Sequence, residues 1–339
     1  MQTFATQKKE LLPNATARKI FGLVSGELAL VEAEFERQAR SNIQVINYLG
    51  DYLRASGGKR VRPALLVLTN YGVGGKGDSE SVIRLATVME MLHTATLVHD
   101  DIIDNADVRR NRASINARFG NQTAVLMGDW LYMSAFETAL RERSLEILDI
   151  LTRLTRKMTE GELIQMTMIA RLDITPQDYF DILRRKTAYL FSACCEIGAI
   201  LGGASLEVQN AMRDYGLNLG IAFQLADDIL DLTSNETSLG KAAGADLLEG
   251  KLTLPLIKLV EQEPSMKGIF EKIMFDGTYA SHPREMIMEM LKNDGILAAI
   301  ISEAKDFANR AIKSLDVLPE TEYRSALEEI PDFVIQRNT

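Results

Sequence analysis

Residues 81–104 read SVIRLATVMEMLHTATLVHDDIID, and this stretch decides the fold class. Apolar residues fall at Val82, Leu85, Ala86, Met89, Leu92 and Leu97, the i, i+3, i+4 rhythm of a helix with one buried face. Asp78 or Ser79 stands where such a helix would be capped. The helix closes on Asp100, Asp101 and Asp104. Positions four apart share a helix face, so Asp100 and Asp104 stack one turn apart, with Asp101 about 100° round. Three carboxylates this close repel one another unless cations neutralise them. Oxygen-only donors suit a hard cation such as Mg²⁺, which keeps waters and binds through a few carboxylates plus substrate phosphates.

Working outward, helix-period patterns run through 145–170, 176–201, 206–232, 254–261 and 296–315. Alternating strand patterns are nearly absent, and only 8 prolines interrupt the chain. The expectation is an all-α fold, one domain over 1–339. One segment, ALLVLTNYGVGGKG (64–77), spells GxGxxG at Gly72, Gly74 and Gly77. In a dinucleotide-binding unit this would follow a strand. No strand–helix alternation follows here, so a short helix ending in a glycine-rich loop is expected instead.

The 339 residues carry a net charge of −9, which disfavours a polyanion binder, and no basic stripe suggests nucleic acid. Acidity does not exclude a phosphorylated substrate, because local arginines or metal can reverse the field in a cleft. Cys194 and Cys195 are adjacent and cannot staple the fold, as expected of a reduced, cytoplasmic protein. Asn-x-Ser/Thr triplets at Asn14, Asn121 and Asn235 are read as chance. The first 22 residues show no apolar signal core. The most membrane-like run, 189–206, is broken by Glu196 and several Gly and Ser residues, so a buried helix is expected there.

FQLADDILDLT repeats the acidic spacing at Asp227, Asp228 and Asp231, 127 residues after the first cluster. Both clusters follow apolar helical runs, unlike a solvated charge face. Across a cavity, two such helices could grip one diphosphate from both sides. Cations gather nearby: Lys59, Arg60 and Arg62 in SGGKRVRP (56–63), Arg109 and Arg110 just past the first cluster, and Lys241 and Lys251 in GKAAGADLLEGKLTLP (240–255). A glycine turn beside cations can wrap a diphosphate with backbone N–H groups as well. His93 precedes Asp100 by two helical turns and so shares the acidic face, although a packed core histidine would have the same spacing.

These segments, taken with GDW (128–130), EGELIQ (160–165) and RRKTAYLF (184–191), resemble the trans-type isoprenyl diphosphate synthases over most of the chain. DFVIQR (332–337) looks like the end of a long-chain member. The resemblance implies an isoprenoid synthase fold, a helical bundle around a deep elongation cavity, usually in a homodimer. It implies Asp100, Asp104 and Asp227 as direct Mg²⁺ ligands, with Asp101, Asp228 and Asp231 acting through water or from behind. Arg109, Lys186, Thr187, Gln224, Lys241 and Lys251 would hold an allylic diphosphate. Lys59, Arg62, His93 and Arg110 would hold isopentenyl diphosphate. Where the family commonly has RRG-x-P after the first motif, this chain has Arg109-Arg110-Asn111-Arg112-Ala113; Asn can take the left-handed turn that Gly supplies, but Ala113 lacks the proline restraint.

The expected reaction is sequential 1′-4 condensation, with no nucleophilic side chain required. Ala95 and Thr96 lie just over a turn before Asp100 and are small, where an aromatic would block elongation in short-chain relatives. A long product is therefore expected, octaprenyl diphosphate centrally, with quinone side chains as a destination by analogy and peripheral membrane contact for release. Phe136, Met166 and Met168 could floor the cavity but are read as ordinary core residues. A class I terpenoid cyclase would show an (N/D)DxxSxxxE second motif, a non-catalytic partner subunit would show eroded acids, and an oxidoreductase rests on GxGxxG alone.

Overall fold

The computed structural model describes residues 15–55, 57–110, 112–233 and 243–336. The helical periodicities become helices, and the described residues are all-α apart from one two-stranded hairpin. In chain order these are α1 (Ala15–Gly22), α2 (Ser25–Gln38), α3 (Gln44–Ala55), α4 (Val61–Gly72) and α5 (Glu80–Ile103). The hairpin, β1 (Val108–Arg109) and β2 (Arg112–Ala113), is followed by α6 (Ile115–Phe119), α7 (Asn121–Ala139) and α8 (Leu145–Met168). Then come α9 (Pro176–Leu183), α10 (Tyr189–Leu201), α11 (Leu206–Thr233), α12 (Ala245–Leu248), α13 (Leu254–Gln262), α14 (Met266–Asp276), α15 (Arg284–Asn293), α16 (Ile296–Ser314) and α17 (Glu322–Gln336). The chain divides into two compact units, one of residues 1–149, 194–213 and 314–333, the other of 150–193, 214–313 and 334–339.

In the first unit, α5 is the central element. Ser79 caps it, its hydroxyl accepting the Val82 N–H, and its inner face packs most extensively on α7 and next on α4. Leu65, Leu66, Leu68, Leu85, Met89, Leu92 and Leu131 are fully buried there. The approach of Gly198 to α4 requires glycine: a Cβ would stand 2.5 Å from the Leu66 carbonyl oxygen. Asn70 reinforces the contact by donating to the Gly198 carbonyl at 3.0 Å. Among the described residues α5 is also the helix long and apolar enough to cross a membrane, but 67% of the relevant window is buried in protein, as in a core helix. The GxGxxG segment is the end of α4 and a loop in which Gly74 has φ +87°, so helix and not strand precedes it.

The second unit buries Leu225, Ile229, Leu247, Leu254, Leu256, Ile257, Phe270, Ile273, Leu291 and Ile300 in one cluster. Its local departure from expectation falls within 176–201. There the helix widens into a π-turn at Arg184–Ala188, a form that concentrates at functional sites. Neighbouring glycines make room for it: a Cβ on Gly161 would lie 2.7 Å from Arg185 Cβ, and one on Gly220 2.6 Å from Ala188 Cα. The membrane-like run from Tyr189 continues this helix to Leu201, with Leu190, Phe191, Cys194, Cys195 and Ile197 buried. The core reading of Phe136, Met166 and Met168 is corrected. Met166 is 50% exposed and the other two only partly buried, because α7 and α8 turn those positions outward.

Candidate active site

The first cluster ends α5. Asp101 faces inward and is buried, while Asp100 and Asp104, a turn apart, are half-buried. Asp101 Oδ1 accepts Arg109 Nε at 2.8 Å and also Arg109 Nη2. The hairpin that carries Arg109 is stitched to the same helix end: Asn116 donates to the Asp101 carbonyl at 3.1 Å, and the Ser114 hydroxyl donates to the Ala106 carbonyl at 2.6 Å. At the hairpin tip Arg110 has φ +52° and donates to the Gly57 carbonyl, meeting the glycine turn of residues 57–62.

In that turn the three cations separate by role. Arg60, with φ +50°, turns inward to Glu90 at 2.7 Å and to Glu32. Arg62 Nη1 lies 3.0 Å from His93 Nε2. Burial, then the charges of Arg62, Arg110, Arg109 and Arg60, holds the His93 imidazole well below its ordinary pKa. A neutral His93 therefore accepts from Arg62 at Nε2 and carries its proton on Nδ1. Lys59 shares this loop. Gly57, Arg60, Arg109, Arg110, Asp101, Tyr52 and Thr94 line a small solvent-open cleft. His99, beside Asp100, stacks on Tyr132 and fills space that Gly128 leaves: a Cβ there would fall 2.2 Å from His99 Nε2. Ala95 is completely buried on α5, and Thr96 donates to the His93 carbonyl at 2.7 Å.

The second cluster lies in α11, in the second unit. Asp228 is buried, with Asp227 and Asp231 half-buried on either side in sequence. Tyr179 Oη donates to Asp228 Oδ2 at 2.6 Å, and Gln224 Nε2 donates to Oδ1 at 2.9 Å. Thr187 Oγ1 donates in turn to Gln224 Oε1 at 2.8 Å, which fixes the amide's orientation. Burial, then the charges of Asp246 and Asp227, pushes the Asp228 carboxyl well above its usual pKa. Asp231 accepts the Asp246 N–H at 3.4 Å. Lys186, in the π-turn, pairs with Glu162 at 2.6 Å and donates to Gln165. Lys251 pairs with Glu249 at 2.7 Å. Lys241 lies outside the described residues, as does Asn111 of the hairpin.

Thus Thr187, Gln224 and Asp228 are linked by hydrogen bonds within one unit, with Lys186 next in the chain but paired to Glu162 and Gln165, and the other unit holds the pairs Arg62–His93, Arg109–Asp101 and Arg110–Gly57. Sequence reasoning missed Tyr179, Glu162, Gln165 and Asp246. Glu162 and Gln165 sat in a quoted motif without a role, while nothing in the pattern of α9 marks Tyr179. Among the described residues no three acidic, His or Cys side chains converge as a closed metal cage. Two outer carboxylates one turn apart are the donor set for an ion completed by substrate phosphates, so the residues fit Mg²⁺.

The polyprenyl synthetase family model matches residues 43–291. Octaprenyl diphosphate synthase of Escherichia coli is 37% identical over 320 residues, 94% of this chain and 98% of that protein. Geranylgeranyl diphosphate synthase of Methanosarcina mazei is 36% identical, over 84% of this chain and 88% of its own. A crystal structure of polyprenyl synthase from Caulobacter crescentus, complexed with calcium and isoprenyl diphosphate, superposes with TM-score 0.89 at 35% identity, covering 95% of this chain and 98% of that one. All-α architecture and two aspartate clusters on helices define the class, a prenyltransferase of the isoprenyl diphosphate type. This chain belongs to the polyprenyl synthetase family.

Proposed function

We propose that this prenyltransferase condenses isopentenyl diphosphate, 1′-4 and repeatedly, onto an allylic diphosphate primer, yielding a long all-trans polyprenyl diphosphate. The observation that carries the reading is shared by both DDxxD clusters. In each, the second aspartate is buried and held by protein donors, Asp101 by Arg109 and Asp228 by Tyr179 and Gln224, and the outer pair is half-buried. Such clusters present two carboxylates on one helix face and use the third to brace the site. Asp100, Asp104 and Asp227 are the residues that would hold Mg²⁺ directly, with Asp231 assisting through water. Mg²⁺, when bound, draws charge from the allylic diphosphate.

The chain's own groups align the reactants and stabilise the leaving group. Arg109, Lys186, Lys241 and Lys251, with Thr187 and Gln224, supply counter-charge and hydrogen bonds to the allylic diphosphate. Lys186 exchanges its Glu162 partner for phosphate as the substrate arrives. Lys59, Arg62 and Arg110 hold isopentenyl diphosphate, and neutral His93 orients Arg62. The allylic C–O bond ionises, the isopentenyl double bond attacks the cation, and a proton leaves to the departing diphosphate. The whole chain, residues 1–339, acts as one synthase domain.

Product length is carried by residues and not by overall likeness, since relatives with C20 and C40 products are almost equally similar. Small Ala95 and Thr96 favour the long product, octaprenyl diphosphate. A homodimer is supported by the apolar residues that α7 and the turn after it expose at seven-residue spacing: Leu126 (68% exposed), Met133 (64%) and Leu140 (48%). The enzyme works in the cytoplasm, with peripheral membrane contact to release so apolar a product. Incubation with labelled isopentenyl diphosphate, several allylic primers and Mg²⁺, with mass analysis of products, tests the reading. Elongation of no primer at all would overturn it.

A further inference from the structure

The hairpin after the first cluster must hold Arg109 and Arg110 steady, yet it is two residues per strand and carries Ala113, without the restraint of a proline ring. Its register explains what does the holding. Val108 pairs with Ala113 and Arg109 with Arg112, and the Ser114 N–H donates to the Asp107 carbonyl at 2.9 Å. Antiparallel pairs alternate between bonded and non-bonded, so Ala113, between two bonded pairs, sits at a non-hydrogen-bonded position. Its carbonyl points away from the partner strand and needs another donor. Tyr52 of α3 provides it: Oη donates to the Ala113 carbonyl at 2.7 Å.

The Tyr52 ring is itself fixed. It is 7% exposed, meets Phe119 edge-on at 5.5 Å, and lies under the guanidinium carbons of Arg112 at 4.5 Å and Arg118 at 4.7 Å. Arg112 belongs to the hairpin and Arg118 to α6, directly after it. One aromatic side chain therefore grips the returning strand by a hydrogen bond, and both that strand and the next helix by cation–π contact. Tyr52 also lines the cleft shared with Arg109 and Arg110.

We propose that Tyr52 is a positioning residue for the hairpin arginines, clamping β2 so that Arg110 meets the isopentenyl diphosphate. This rests on the assignment of Arg110 to that substrate. Arg109 is braced by two donors on the buried Asp101 carboxylate and Arg110 by one on a loop carbonyl, so loosening the clamp should fall mainly on Arg110. Proline at position 113 restrains the strand by another route, because that N–H faces away from the ladder and the residue before it is already extended.

The test is steady-state kinetics of Tyr52→Phe, Ala113→Pro, the double variant and Arg110→Ala, with each substrate varied in turn. Loss of one hydrogen bond should raise KM for isopentenyl diphosphate about three- to tenfold in Tyr52→Phe. The KM for the allylic substrate and kcat should stay within about twofold, since the interaction lost is made before and during reaction alike. In the Ala113→Pro background the same Tyr52→Phe change should have less than about half that effect on the logarithmic scale. An unchanged KM in Tyr52→Phe, a fall in kcat alone, or an equal rise in both backgrounds would overturn the clamp. An unchanged KM in Arg110→Ala would instead overturn the substrate assignment beneath it.

Discussion

Tyr179 Oη lies 2.6 Å from Asp228 Oδ2, while Gln224 takes the other oxygen of the same buried carboxyl. The second aspartate of this DDxxD is thus a bracket that orients Gln224 and, through it, Thr187. Tyr179→Phe removes one donor from a buried acceptor, at a cost of about 1–3 kcal/mol. The expected outcome is a lower melting temperature and a raised KM for the allylic diphosphate, with KM for isopentenyl diphosphate unchanged. Equal effects on both substrates would mean that the network is not specific to the allylic side.

Gly220→Ala should be among the most harmful glycine changes, because its Cβ would press on the backbone of Ala188 at 2.6 Å, next to Thr187. The expected cost is about 1–3 kcal/mol of stability, with weaker allylic binding as the π-turn shifts. Gly268→Ala is the control: its Cβ meets nothing within 4 Å, it lies inside α14, and helix propensity favours alanine by about 0.8–1 kcal/mol. Denaturant unfolding of the two variants should give opposite signs.

Because His93 is held neutral, the unfolded chain binds a proton there that the folded chain refuses. Stability then rises with pH across the interval between the lowered folded pKa and the ordinary value of about 6.5, and falls as pH drops through it. His93→Gln keeps a neutral polar group and should lose less stability than the parent between about pH 7.5 and 5.5. Identical pH profiles in thermal unfolding would show that His93 is not desolvated as described.

Ala95→Tyr should shorten the product sharply if the chain grows past that position. Ala95 is fully buried, so the variant's melting temperature must be read alongside the product mass. A folded variant with unchanged product length would remove this position from control of elongation.

Much of this was legible because helix periodicity and charge spacing are local. Residues 81–104 announce their buried face and acidic end, and α5 follows within a residue or two. The hairpin at 108–113 escaped notice because two-residue strands have no period to read. The π-turn escaped because Gly161 and Gly220 make room for it from 24 and 32 residues away, measured to Arg185 and Ala188, on neighbouring helices. Tyr179 could not be singled out for the same reason: its partner lies 49 residues on, and only packing brings the two together. Of the three cations in residues 59–62, spacing could not reveal that Arg60 turns inward to Glu32 and Glu90.

In the proposed function Asp100, Asp104 and Asp227 hold the Mg²⁺ of the allylic diphosphate. Calorimetric titration of an unreactive allylic thiolodiphosphate with Mg²⁺ tests it most directly, using the parent chain, Asp100→Asn, Asp227→Asn and the double variant. If the clusters share the ligand, each single change weakens binding strongly, and the double change costs less than the product of the two by about tenfold or more. Losses that multiply independently, or parental affinity in either single variant, would contradict the account.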